Sequence, residues 1–100
     1  MRAIAEVARR IGEEVADVAG YSKLASWFRD SGDEESGKAI HEIARQEMEH
    51  ADRLHAIAVR LVERASKEEP QSAGMMAVWE FEHDRMMEEL AHARTMLQQY

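Results

Sequence analysis

Two residues in the middle of the sequence have the types and the spacing to bind a metal ion. Glu47 and His50 lie three residues apart within an apolar row whose spacings alternate between three and four, as in a core-facing helix. Because a buried carboxylate or imidazole is costly unless it has a partner, the two must be paired, bound or turned to a second surface. On one helix face they can bind one ion together, or Glu47 can bridge two. The row, named here the first row, is Ile40, Ile43, Glu47, His50, Leu54, Ile57 and Leu61.

A third candidate ligand, Glu14, is the one charged residue on the centre line of an earlier apolar row. It lies eighteen positions before residue 32, where a turn is expected, and Glu47 lies fifteen positions after it. Antiparallel helices joined there would bring the two carboxylates level to within about one turn. One Glu from one helix and Glu-x-x-His from the next make half of a carboxylate-bridged di-iron site. Such ligands suit iron or manganese, and zinc also accepts them.

Three long helices are predicted to position these residues. One Pro and five Gly are all that interrupt the chain, and short loops between long helices give antiparallel neighbours. The second helix carries another apolar row, the second row, so we expect it to pack on more than one partner. This row is Ala44, Met48, Ala51, Ala58 and Val62. The predicted fold is all-α, with helices at about 2–30, 36–66 and 72–98.

Capping and turn residues set the expected helix boundaries. Asp33 or Ser36 is expected to cap the second helix, and Ser72 the third. Gly12 and Gly20 weaken the first helix by about 1 kcal/mol each relative to Ala. We expect both glycines to allow the close approach of a neighbouring helix.

Composition limits the classes of function. One hundred residues, 45% apolar and 33% charged, indicate one small folded domain, for which association into oligomers is expected. A net charge of −7 disfavours nucleic acid and anionic membranes as partners. Without Cys, disulfides and rubredoxin-type iron sites are excluded. The chain starts directly with helical sequence and has no run of membrane length, so we expect a cytoplasmic protein, or one inside a protein compartment.

The third helix repeats part of the candidate motif. Glu80 and His83 are again three apart on an apolar face, and we treat them as secondary candidates for metal binding. The simpler interpretation is a helix edge that packs its apolar neighbours inward. His41, His55 and His92 lack a centred carboxylate one turn before them, and we expect them to be surface or packing residues.

In residues 14–61 the chain resembles the ferritin-like superfamily, and most closely the rubrerythrins. The matching features are Glu14, Tyr21 seven residues later, and the run IARQEMEHADRL at 43–54. The resemblance implies that the three candidate ligands bind iron and that Tyr21 lies close to the iron without binding it. It covers about half of the chain.

The chain departs from a complete ferritin-like domain, which has four helices and two copies of the ligand set. It resembles instead the short subunits of encapsulated ferritins, which build a four-helix bundle and its di-iron site across a subunit interface. The resemblance implies a homodimer, or a larger homo-oligomer, in which two copies of Glu14, Glu47 and His50 meet at a twofold axis. In the alternative, the site lies within one chain and is completed by Glu80 and His83.

The function implied by the resemblance is iron oxidation, as a ferroxidase, an oxidase or a peroxidase-like enzyme. Peroxidase chemistry would need a separate protein as electron donor, because the chain has no rubredoxin segment. Two alternatives are a non-catalytic helical dimerisation or interaction module and an iron-storage cargo protein carried inside a shell.

Overall fold

The structure, a computed structural model, describes residues 2–68 and 73–100. This part of the chain folds into three α-helices and contains no strand. The all-α prediction is therefore confirmed. The helices are α1, Arg2–Asp30, α2, Glu34–Glu68, and α3, Ala73–Gln98.

The turn between α1 and α2 is built as the sequence indicates. Gly32 has a φ of +93°, a left-handed conformation that glycine adopts without steric cost. Asp33 caps α2, because its Oδ1 accepts a hydrogen bond of 3.0 Å from the backbone amide of Ser36. With Asp33 as the cap, α2 begins at Glu34, two residues before the expected start. It also runs to Glu68, two residues past the expected end, and the expected cap of α3 at Ser72 lies outside the described residues.

The core is formed by the second row of α2 and not by the first. In the second row all but Val62 are buried. Met48, Ala51 and Ala58 of this row pack with Ile11 and Val18 of α1 and with the inner face of α3. Every residue of the first row is half-buried or exposed; Ile43, for example, is 39% exposed. Leu54 is the one member of the first row that packs against the core, so the expectation that this row faces the core is wrong for its other members within a single chain. The α3 residues in the core are Met86, Leu90 and Ala93.

One glycine does allow helices to approach closely, but it is not one of the two expected. A Cβ atom added at Gly12 or Gly20 would have no neighbour within 4 Å. A Cβ at Gly37 would lie 2.7 Å from the Tyr100 hydroxyl and 3.0 Å from the carbonyl oxygen of Ala25. The close approach of α1, α2 and the chain end thus occurs at the turn end of the molecule.

The end of α3 is fixed to this turn end by polar and aromatic contacts. The ring of His41 donates a hydrogen bond of 3.0 Å from Nε2 to the carbonyl oxygen of Leu97, and it stacks on Tyr100 with centroids 4.4 Å apart. The Arg29 guanidinium donates to the carbonyl oxygen of Tyr100 at 3.0 Å and lies over the Tyr100 ring. These contacts align α3 antiparallel to α2.

The molecule is elongated. It measures 56 × 17 × 16 Å, and its radius of gyration of 16.4 Å exceeds the about 13 Å typical of 100 residues. Its accessible surface is 6752 Å², against about 5,800 Å² for a compact monomer of this mass. Of the helices in residues 2–68 and 73–100, none combines the length and the apolar character needed to cross a bilayer.

Candidate metal centre

Glu14, Glu47 and His50 come together near the middle of the α1–α2 pair. Each offers one ligand atom, and these atoms all lie within 4.8 Å of one another. His50 Nδ1 is 3.8 Å from Glu14 Oε2 and 3.9 Å from Glu47 Oε1. The expectation that Glu14 and Glu47 lie level is thus confirmed, and metal binding by the group stays a prediction.

Helical register explains this meeting. Gly32 and Asp33 make a short connection, so that α2 returns along α1 and residues nearly equidistant from the turn become neighbours. Glu47 and His50 are one turn apart on α2, which directs both toward the same point on α1. Glu14 is the residue of α1 that lies there.

The two carboxylates are mostly withdrawn from water, whereas the imidazole is open to it. The side chains of Glu14 and Glu47 are 24% and 21% exposed, and that of His50 is 52% exposed. The Oε2 atom of Glu14 is fully buried and accepts no hydrogen bond. A buried carboxylate oxygen without a donor is costly, and a cation or a proton beside it would relieve the cost.

The close approach of the two carboxyl groups changes the protonation of Glu47. Its pKa is raised, first because a hydrogen bond with Glu14 requires one of the two groups to keep a proton, then by burial and by the negative charge of Glu14. His50 acts in the opposite direction and lowers the pKa of Glu47. A bound cation would replace the shared proton and allow both groups to ionise.

The site opens onto a face of the α1–α2 pair that α3 does not cover. The residues beside the ligands on this face, named here the open face, are apolar and partly exposed. In α1, Tyr21 is 36% exposed and Leu24 is 41% exposed, and in α2 Ile43 is 39% exposed. Three further apolar members of the first row, all half-buried, continue this face along α2; they are Ile40, Ile57 and Leu61.

The other predicted site residues do not join the cluster. Among the described residues, the one group of three or more His, Asp or Glu side chains with metal-binding geometry is the cluster of Glu14, Glu47 and His50. Tyr21 lies two turns after Glu14 on the same side of α1, but within the described part of the chain its hydroxyl makes no hydrogen bond to the cluster. Glu80 is exposed, and His83 turns toward α2 at another position.

The partner of His83 is His55, for which the sequence pattern predicted a surface or packing role. The Nε2 atoms of His83 and His55 are 3.1 Å apart, and the Trp79 ring lies 5.3 Å from that of His83. The pKa of His55 is lowered by burial and by the nearby His83, an effect that Asp52 opposes. Since the two histidines come from different helices, no spacing within either helix reveals the pair.

The donor set fits a transition-metal ion. Two carboxylates and one imidazole suit iron or manganese, with zinc as a competitor. Three protein ligands also leave coordination positions free for water, a substrate or ligands from a second chain. The buried oxygen of Glu14, which has no hydrogen-bond donor, is the observation in this structure that favours a cation at this point.

Comparisons of the chain with protein-family models, with curated proteins and with solved structures find no match. The interpretation of the site therefore depends on its residues and their geometry.

Proposed function

We propose that this protein is a non-haem iron protein whose di-iron site forms between two identical subunits. The observation that carries the proposal is the cluster of Glu14, Glu47 and His50, whose ligand atoms all lie within 4.8 Å. One Glu on one helix and Glu-x-x-His on the next are half of the ligand set of carboxylate-bridged di-iron bundles. A second copy related by a twofold axis would supply the other half.

The open face supports a second copy of the chain as the partner. It places partly exposed apolar side chains such as Tyr21, Leu24 and Ile43 around three ligands that are incomplete as a set. Two α1–α2 pairs packed through this face would make a four-helix bundle with the ligands inside, and α3 would remain on the outside of each half. Such packing would also cover surface that the elongated monomer exposes in excess.

Each residue of the site would have its own role in metal binding. Glu47 would bridge two ions, while Glu14 and His50, whose Nδ1 lies 3.8 Å from Glu14 Oε2 and 3.9 Å from Glu47 Oε1, would each bind one. With an ion bound, the two withdrawn carboxylates would hold their negative charge beside it. Bound ferrous iron would supply the electrons for reduction of dioxygen or peroxide, in a ferroxidase, oxidase or peroxidase-like reaction. We place this reaction in the cytoplasm or in a protein compartment within it.

Metal analysis and native mass of the full chain, purified under low oxygen and loaded with ferrous iron, test this proposal. We expect about one iron per chain in a dimer, and loss of the iron from Glu47→Ala. Glu49→Ala is the matched control, because Glu49 is two residues away on the same helix and exposed. A metal-free protein whose dimer is unchanged by Glu47→Ala would instead support a non-catalytic dimerisation module.

The shared nature of the site is tested through the open face. Leu24→Lys places a charge on this face about 15 Å along α1 from Glu14 and adds no carboxylate to the cluster, so we expect it to give a monomer that binds iron weakly. Glu63→Lys, exposed on α2 outside the first row, should leave both the mass and the iron content as in wild type. A Leu24→Lys monomer that holds iron as tightly as wild type would show that the site is complete within one chain.

A further inference from the structure

A pair of histidines lies on a different side of α2 from the candidate metal centre. The Nε2 atoms of His55 and His83 are 3.1 Å apart, and their rings are inclined by 23° with centroids 5.2 Å apart. Both side chains are half-buried. His55 follows His50 by five residues, which turns it by about 140° around the helix axis. The pair is thus separate from the cluster of Glu14, Glu47 and His50.

Two imidazoles in this arrangement are almost placed to bind one ion. A zinc–nitrogen bond measures about 2.0–2.1 Å, so two nitrogens on one tetrahedral ion are about 3.3 Å apart. The separation of 3.1 Å would need to change by only a few tenths of an ångström. Without a metal, the contact is a hydrogen bond, in which one ring donates its Nε2 proton to the other. If that proton moves to Nδ1 through solvent, both Nε2 lone pairs become free while both rings stay neutral.

The surroundings of the pair select for ions that prefer nitrogen. Within residues 2–68 and 73–100 the two histidines do not belong to a larger group of His, Asp and Glu with metal-binding geometry. Imidazole ligands suit zinc, copper(II) and nickel(II), whereas manganese favours carboxylates and non-haem iron sites typically add a carboxylate to two histidines. Trp79 packs against His83 with ring centroids 5.3 Å apart, which restricts the orientation of that imidazole.

We propose that His55 and His83 form a second metal site, between α2 and α3, that takes a divalent ion of the zinc or copper(II) class with water as the remaining ligand. Such an ion would join α2 to α3 at a distance from the His41 and Tyr100 contacts that already fix the other end of α3. This site is independent of the proposed iron centre.

Copper(II) chloride alone is the probe, and Trp79 is the reporter, because bound copper quenches a nearby indole. The chain has two tryptophans, so Trp27→Phe isolates the signal. Adding Glu47→Ala removes the candidate iron centre from the experiment. In this full-length background we expect saturable quenching with one copper per chain, reversed by excess zinc, and paramagnetic resonance spectra with hyperfine coupling to two imidazole nitrogens.

Variants of the pair distinguish a built site from scattered surface binding. His55→Gln and His83→Gln retain a side chain that can hydrogen-bond to the remaining ring but lose one imidazole ligand, and each should weaken copper binding about tenfold or more. The control is His92→Gln, on an exposed position of α3, which should change nothing. Circular dichroism verifies that each variant is folded.

Either of two results overturns this proposal. In the first, His55→Gln and His83→Gln bind copper as tightly as the background protein. In the second, His92→Gln loses as much copper affinity as they do. The result is separable from that for the iron centre, because Glu47 is already absent from the background. If wild type binds no iron, but copper affinity in the Glu47→Ala background still falls on His55→Gln, the second site is supported and the iron centre is not.

Discussion

Replacing Glu47 with Gln should stabilise the metal-free protein. Glu14 and Glu47 bring two carboxylates within 4.8 Å of each other, and one oxygen of Glu14 is buried without a donor. Glu47→Gln keeps the shape of the side chain, removes one negative charge and supplies an N–H that can donate to Glu14.

The magnitude follows from the separation of the charges. If both groups are ionised, two unit charges at the upper limit of 4.8 Å repel by about 1 kcal/mol in bulk water and by about 3.5 kcal/mol at an effective dielectric constant of 20. If the pair instead keeps a shared proton, the cost is that of holding this proton at neutral pH, and Glu47→Gln removes either cost. His50, when protonated, offsets part of this repulsion. We therefore expect Glu47→Gln to raise the free energy of unfolding by about 1–3 kcal/mol.

Urea denaturation at pH 7.5 in a chelator, followed by circular dichroism at one protein concentration, measures this difference. Glu63→Gln, an exposed substitution on the same helix, should change stability by less than about 0.5 kcal/mol. With ferrous iron at a thousand times its dissociation constant under anaerobic conditions the order should reverse, because binding then stabilises wild type by about 4.1 kcal/mol. A Glu47→Gln protein no more stable than wild type in chelator would refute the argument that the carboxylates repel.

Three further predictions concern pH and packing. The pKa of Glu47 is raised in the folded protein, so the stability that its protonated form contributes to the metal-free chain is fully present below the unfolded pKa of 4.5. This contribution is lost as pH rises through the folded pKa. Glu47→Gln should therefore flatten this part of the stability–pH profile, measured from pH 4 to 8. Gly37→Ala should lower the free energy of unfolding by about 1–3 kcal/mol, since its Cβ would lie 3.0 Å from the backbone carbonyl oxygen of Ala25, which cannot rotate away, as well as 2.7 Å from the Tyr100 hydroxyl. Gly12→Ala should raise this free energy by up to about 1 kcal/mol; thermal denaturation of both variants decides, and equal effects would contradict the packing at the turn. Ile11→Ala should lower the free energy of unfolding by about 2–5 kcal/mol, because Ile11 lies in the core and is only 1% exposed. Urea denaturation measures this change, and a decrease of less than about 1 kcal/mol would contradict the burial of Ile11.

Local sequence was enough to place the helices and the three candidate ligands. Periodicity of three and four, a turn at residue 32 and a capping Asp33 act over a few residues, so they are readable without knowledge of the rest of the fold. That Glu14 and Glu47 lie at the same height along the helix pair followed from counting residues on either side of that turn. Glycine was less readable, since Gly12, Gly20 and Gly37 look alike in sequence and only Gly37 meets a neighbour.

What the sequence by itself determined, then, is three helices and a Glu, Glu, His set at one height on the first two. Tertiary structure alone decided which of the two apolar rows of α2 is buried, because either row could receive α3 and its docking selects the row of Met48 and Ala51. That choice leaves the row of Glu47 and His50 uncovered. The histidines of α2 and α3 meet for the same reason: a contact between helices depends on their relative rotation, which no pattern within one helix specifies.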